Sequence, residues 1–250
     1  MLDFQDRHPP ALAAARAPKT WDFMETTFVA LIADAVFALT GGIGALFIVL
    51  VTHDGLQEAS SAQLDEIMTQ GRWFGAALII GCLPTLAVLW IAIRKAGREF
   101  AEYLALNWPS TNELLLAFAV TGAVIGAHTM FWPYRPSAHS LLVVGAPPGG
   151  LSVLLIGGCL AGPIVEEFLF RGFMFRGWSE SFLGPIGAIV LTSALFGMSH
   201  AQYDWPDRFW LFLFGLVLCT FRWRTNSTWL TVVVHSTANI FIFLVLGPYV

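Results

Sequence analysis

The chain has 250 residues, 56% of them hydrophobic and only 12% charged, with a formal net charge of −4 and a mean hydropathy of +0.69. Soluble domains carry about 25% charged residues, so a water-soluble globule is excluded and an integral membrane protein is indicated. The weak acidity leaves no basic footprint, so no nucleic-acid partner is expected.

The first residues are polar, carry Pro9, Pro10 and Pro18, and lack the apolar core of a cleavable signal peptide. They read as a cytoplasmic N-terminal segment, 1–22, ahead of a single transmembrane domain, 23–250. Seven apolar stretches follow, at about 26–52, 73–93, 112–132, 150–175, 185–200, 207–221 and 228–247, against the ~20 residues that a spanning helix needs. The expected fold is therefore an all-α membrane protein, a polytopic bundle of about seven to eight transmembrane helices with an intramembrane polar cavity. The fifth and sixth stretches are short for a straight span. Trp73, Trp132, Trp178, Trp205 and Trp229 fall near the ends of stretches, where interfacial anchors sit. Cys82, Cys159 and Cys219 lie in apolar segments and read as core residues rather than bridges or ligands.

Basic residues set the orientation. With the N-terminus in the cytoplasm, Arg7, Arg16, Lys19, Arg94, Lys95, Arg98, Arg176, Arg222 and Arg224 fall inside, and Arg72, Arg135 and Arg208 outside. Nine against three follows the positive-inside rule. The loop 53–72 is then external.

The fourth stretch carries Gly162-Pro163-Ile164-Val165-Glu166-Glu167-Phe168-Leu169-Phe170-Arg171. Ionisable groups in an apolar span cost at least ~2.5 kcal/mol each, so they need partners or a task. Glu167 and Arg171 stand four residues apart with the acid first, the favoured helical order. Glu166 lies about 100° away around the helix, which leaves it unneutralised and free for chemistry. Pro163 removes a backbone donor and crowds the carbonyl of Cys159, predicting a kink or break. Gly157, Gly158 and Gly162 permit close helix approach, the last two at GxxxG spacing. The fifth stretch ends Phe196-Gly197-Met198-Ser199-His200, and the seventh carries His235 and Asn239 one helical turn apart. Together Glu166, His200, His235 and Asn239 make a hydrolytic set: a carboxylate base, a histidine to share the proton of water, and two donors for an oxyanion. The bland alternative is a set of interhelical hydrogen bonds. Ionisable groups on three separate segments speak against it.

Glu-Glu-x-x-x-Arg, then Phe-x-x-x-His, then His-x-x-x-Asn resembles the signature of the CAAX-protease and bacteriocin-processing intramembrane peptidases. All three motifs stand in order, at Glu166–Arg171, Phe196–His200 and His235–Asn239. The resemblance covers about residues 150–245, which it marks as the catalytic core. It implies a glutamate-dependent endopeptidase within the bilayer. Glu166 would be its catalytic glutamate and His200 the histidine that helps activate water. His235 and Asn239 would stabilise the oxyanion, with Glu167 and Arg171 as a supporting ion pair. It also implies membrane-associated protein or peptide substrates, CAAX-like or prenylated among them, and a bacterial cell membrane as the location.

Competing readings use overlapping residues. Glu166, His200 and His235 form a His₂Glu set of the kind that holds catalytic zinc, although the His-Glu-x-x-His helix of membrane zinc proteases is absent. No cofactor is otherwise indicated. Gly197-Met198-Ser199 offers a serine nucleophile with His235 as base. Asp34, His128 and Glu166 would suit the proton relay of a transporter, but no repeated pair of broken helices accompanies them. One conflict stands in the hydrolytic reading. Counted from the expected inner ends, Glu166 is ~13 Å deep and His200 ~22 Å.

Overall fold

In a computed structural model of the chain, residues 20–52, 71–131 and 150–246 are described. Among them the chain is helical throughout, apart from short connections and one isolated bridge between Leu106 and Ser227. The helices are α1 (Phe23–Thr52), α2 (Gly71–Lys95), a short α3 (Phe100–Tyr103), α4 (Thr111–Phe131), α5 (Gly150–Ser179), α6 (Gly184–Ser199), α7 (Trp205–Thr225) and α8 (Thr228–Phe241). A wide turn, Ile242–Leu246, prolongs α8. α1, α2, α4 and α5 are long and apolar enough to cross a membrane. The protein is an all-α polytopic membrane bundle. Trp132, Arg135, the loop up to residue 70 and the basic residues before Thr20 lie outside the described residues.

Burial follows membrane rules. Large apolar side chains such as Phe28, Ile43, Phe47, Leu115 and Met130 face outward, because lipid leaves no hydrophobic drive to hide them. Small residues instead bring backbones together. α1 and α2 run antiparallel in direct contact: a Cβ on Gly41 would stand 2.5 Å from the carbonyl oxygen of Ala77. A Cβ on Gly157 would stand 2.5 Å from Cα of Gly75 and one on Gly75 2.7 Å from Cα of Leu154, so α2 and α5 touch backbone to backbone. The contact is thus made by Gly157. The expected GxxxG pair plays a different part. Gly158 faces the ring of Phe243, and Gly162 faces the carbonyl of Gly157 in its own helix.

α5 stays helical from Gly150 to Ser179, so the break expected at Pro163 does not occur. Two π-helical segments, Gly157–Ala161 and Glu167–Met174, interrupt its α-helical turns. The first lies just before Pro163, where its wider turns accommodate the missing donor and the crowded carbonyl. π turns of this kind occur often at functional sites.

Several boundaries differ from the sequence reading. α5 runs to Ser179, beyond the expected residue 175. α7 spans 205–225, because the Asp204 side chain caps its N-terminus by accepting from the backbone of Asp207, and Asn226 ends it in a left-handed conformation. Trp73 and Trp178 are buried rather than interfacial. The indole of Trp178 donates to Thr27 Oγ1 at 3.2 Å, where α1 crosses α5. Trp205 is exposed. The three cysteines are free, Cys159 and Cys219 buried and Cys82 half-buried.

One end of the bundle is cemented by polar contacts. Arg98 bonds Thr20 and Glu102, and Arg176 reaches Glu102 and Glu180. The segment after α3 turns inward. Leu104 packs against Gly172, its carbonyl accepts from Thr228 Oγ1, and Ala105 accepts from the backbone of Thr228. This sets the start of α8 level with the middle of the second π segment, so His235 arrives beside Glu167.

Candidate active site

Glu167 and Arg171 are fully buried and bonded to each other, Nη1 to Oε1 at 3.0 Å. The π segment keeps this four-residue pair on one side of α5. The same Oε1 also accepts from His235 Nδ1 at 2.8 Å. Glu167 Oε1, paired with the Arg171 guanidinium, is an acceptor, which assigns the proton to Nδ1 and the lone pair to Nε2. His235 Nε2 faces the other carboxylate, Glu166 Oε2, at 3.8 Å. The Glu166 side chain keeps 23% of its surface exposed, against none for Glu167. One carboxylate is thus consumed by partners and the other stands open, as the helical spacing predicts.

Phe196 joins the second motif to this cluster. Its ring is fully buried, with the Arg171 guanidinium 4.2 Å from its centroid. His235 meets it edge-on at 5.7 Å and His200 at 4.8 Å. Both histidines therefore flank one phenyl ring. The depth conflict disappears with the true boundaries. Glu166 is ~20 Å from the Ser179 end of α5 and His200 ~24 Å from the start of α6, a difference below one turn. His200 donates Nδ1–H to the carbonyl of Phe196 at 2.8 Å, which again leaves Nε2 as the acceptor. Tyr203 stacks on its far side at 6.0 Å. Arg208 fixes the turn after it by bonding the carbonyls of Ala201 and Tyr203.

Asn239 does not join His235 at a single atom. Its Nδ2 donates to the carbonyl of Gly158 at 2.8 Å, in the first π segment, where intrahelical bonding is rearranged. Phe214 of α7 packs edge-on against His235 at 5.3 Å. The sequence reading does not single it out, and nothing distinguishes it there from its aromatic neighbours. Phe196 does carry a signal, as the first residue of the Phe-x-x-x-His motif.

The residues of the competing readings go elsewhere. Ser199 is exposed and donates to the carbonyl of Phe196, with no bond to His235. His128 Nε2 lies 3.2 Å from Asp207 and its ring packs on Trp210, while Asp34 is exposed on α1 without a hydrogen bond or ion pair among the described residues. Among the described residues no three His, Cys, Asp or Glu side chains are grouped as a metal ion requires. The Nδ1 of each site histidine is already engaged. Each Nε2 stays an acceptor, as in metal-bound histidines whose Nδ1–H is held by a carboxylate or carbonyl, so the histidine chemistry does not argue against zinc; only the grouping of the described side chains does.

Residues 148–241 match the family described as type II CAAX prenyl endopeptidase, Rce1-like. The chain is 26% identical to the UPF0177 protein YbdI of Lactococcus lactis subsp. lactis (strain IL1403), over 63% of this chain and 87% of that one. It is 25% identical to the Bacillus subtilis (strain 168) protein named "Putative membrane peptidase YdiL", over 74% of this chain and 77% of that one. No solved structure matches. The matched segment contains all three motifs and every residue of the cluster just described. Through residues 148–241, the chain is similar to the Rce1-like type II CAAX prenyl endopeptidases.

Proposed function

We propose that the protein is an intramembrane endopeptidase that cleaves membrane-associated proteins or peptides, CAAX-like or prenylated ones among them, with water activated by Glu166. The observation that carries this reading is the division of labour between adjacent carboxylates. Glu167 is fully buried with Arg171 and His235 both on its Oε1, whereas Glu166 is partly open and faces the acceptor nitrogen of His235. Its carboxylate takes a proton from water as the water oxygen attacks the peptide carbonyl carbon. The carbonyl π electrons move to oxygen, and the tetrahedral adduct collapses with cleavage of the C–N bond. His200, its Nδ1–H fixed on Phe196, orients the attacking water through Nε2. Asn239 has a second amide hydrogen beyond the one given to Gly158 and serves the oxyanion. Glu167 and Arg171 support the site. Residues 23–250 form one transmembrane domain with its catalytic core at 150–245, reached by water through a polar cavity between α5, α6 and α8. The protein resides in a bacterial cell membrane with its N-terminus in the cytoplasm.

The test is cleavage of a quenched CAAX-like peptide by protein reconstituted in liposomes. Glu166→Gln should abolish turnover while the thermal unfolding profile stays that of the parent, since the amide is nearly isosteric but cannot take the proton. Full turnover in this variant overturns the assignment. Elemental analysis of the active preparation accompanies the assay. One tightly held zinc that tracks activity would replace the metal-free reading.

A further inference from the structure

Four features of His235 do not suit a neutral donor to an oxyanion. Its Nδ1–H is committed to Glu167 Oε1 at 2.8 Å. Its Nε2 is therefore an acceptor in the resting protein. That nitrogen faces Glu166 Oε2 at 3.8 Å, close enough for a proton to pass after a small approach or through one water. Finally, the rings of Phe196 and Phe214 meet it edge-on at 5.7 and 5.3 Å and hold the imidazole plane.

We infer that His235 is the proton carrier of the reaction, taking the proton that Glu166 removes from water and handing it to the leaving amine, with Glu167 as the carboxylate that stabilises its imidazolium form. This rests on the peptidase reading above and assigns His235 a different part from the one its motif implies. The protons balance. One proton of water passes to Glu166 as the C–O bond forms, then to His235 Nε2, then to the departing nitrogen as the C–N bond breaks. Glu166 and His235 end as they began. A buried carboxylate on Nδ1 is the arrangement that fixes one imidazole tautomer and stabilises the imidazolium in acyl-transfer sites. Arg171 bonds the same oxygen at 3.0 Å, and that charge-assisted bond would be lost if the carboxylate took the proton itself. Only after protonation does Nε2 become a donor, so any contact of His235 with the oxyanion follows the proton and does not precede it.

Three measurements on the full-length reconstituted protein test this. The first needs no substrate. In ¹⁵N-histidine-labelled protein, with the His235 signals assigned by their loss in His235→Gln, neutral His235 should be the Nδ1-protonated tautomer. An Nε2-protonated tautomer overturns the inference. The second compares His235→Gln with His235→Ala on the amide peptide. The glutamine amide donates but cannot carry a proton, so both should lose 10²-fold or more in kcat with little change in KM. Retention of kcat within tenfold by His235→Gln marks a simple donor and overturns the proposal. The third replaces the scissile amide by an activated ester, whose leaving group needs no proton. The loss in His235→Gln should shrink at least tenfold on the ester. Equal losses on ester and amide indicate an oxyanion or purely structural role and overturn it. If Glu166→Gln keeps full turnover, the peptidase reading fails, while the tautomer result still reports on His235 alone.

Discussion

His235 Nδ1 and Arg171 Nη1 share one acceptor, Glu167 Oε1, at 2.8 and 3.0 Å. Three groups from two helices thereby meet at an atom with no solvent exposure, and the two motifs that supply them stand 68 residues apart between Glu167 and His235. A buried ion pair of this kind gives weak net stability when intact, but losing one member leaves the other uncompensated.

Glu167→Gln should therefore damage the fold more than the isosteric change at Glu166. Breaking a buried pair from one side costs roughly 3–5 kcal/mol, and the guanidinium of Arg171 would be left against the rings of Phe196 and Phe170. A lowered unfolding midpoint in mild detergent, with Glu166→Gln unchanged beside it, is the expected outcome. Equal midpoints for the two variants would remove the structural role assigned to Glu167.

The α2–α5 contact predicts a sharp difference between glycines. Gly75→Ala places a Cβ 2.4 Å from the carbonyl oxygen of Val153, where only backbone could yield, and overpacking costs about 1–3 kcal/mol or more. Gly122→Ala on α4 meets nothing within 4 Å and should be neutral or raise stability by about 0.5–1 kcal/mol through helix propensity. Thermal unfolding of both variants in detergent checks the pair. Similar behaviour of the two would contradict the close crossing.

The polar end of the bundle predicts an acid-sensitive contribution. Arg98 grips both oxygens of Glu102 at 2.5 and 3.0 Å and holds its carboxyl below the ordinary value of 4.5. A depressed carboxylate value contributes stability that is complete above 4.5 and fades as pH falls through the lower folded value. Glu102 is half exposed, so the effect is small. Melting temperatures recorded from neutral pH to below 4.5 should converge for the parent and Glu102→Gln at the acid end. A gap that widens on acidification would reverse the sign assigned here.

The distribution of basic residues predicts an orientation. Arg94, Lys95, Arg98, Arg176, Arg222 and Arg224 belong to the helix ends near Arg98 and Arg176, while Arg208 stands at the other end of α7. With that basic end in the cytoplasm, Ser60→Cys in a background lacking the native cysteines should react with an impermeant thiol reagent added outside intact cells. Labelling only after the membrane is opened would invert the topology.

The apolar stretches, the pairing of Glu167 with Arg171 and the freedom of Glu166 were legible in the sequence, because hydropathy and helical spacing act locally and tolerate errors of a few residues at each end. The three motifs were legible for the same reason, as short spacings on single helices. Tertiary structure alone decided which groups meet. Gly157 rather than the Gly158/Gly162 spacing makes the α2–α5 contact, because Gly75 happens to lie opposite it. The inward turn at Leu104 and Ala105 sets the level of α8, which brings His235 onto Glu167 and sends Asn239 to the carbonyl of Gly158. Spacing along one helix fixes which side chains share a face. The level and rotation of that face against another helix depend on backbone contacts distant in sequence, and these set His235 Nδ1 against Glu167 and turned Nε2 toward Glu166.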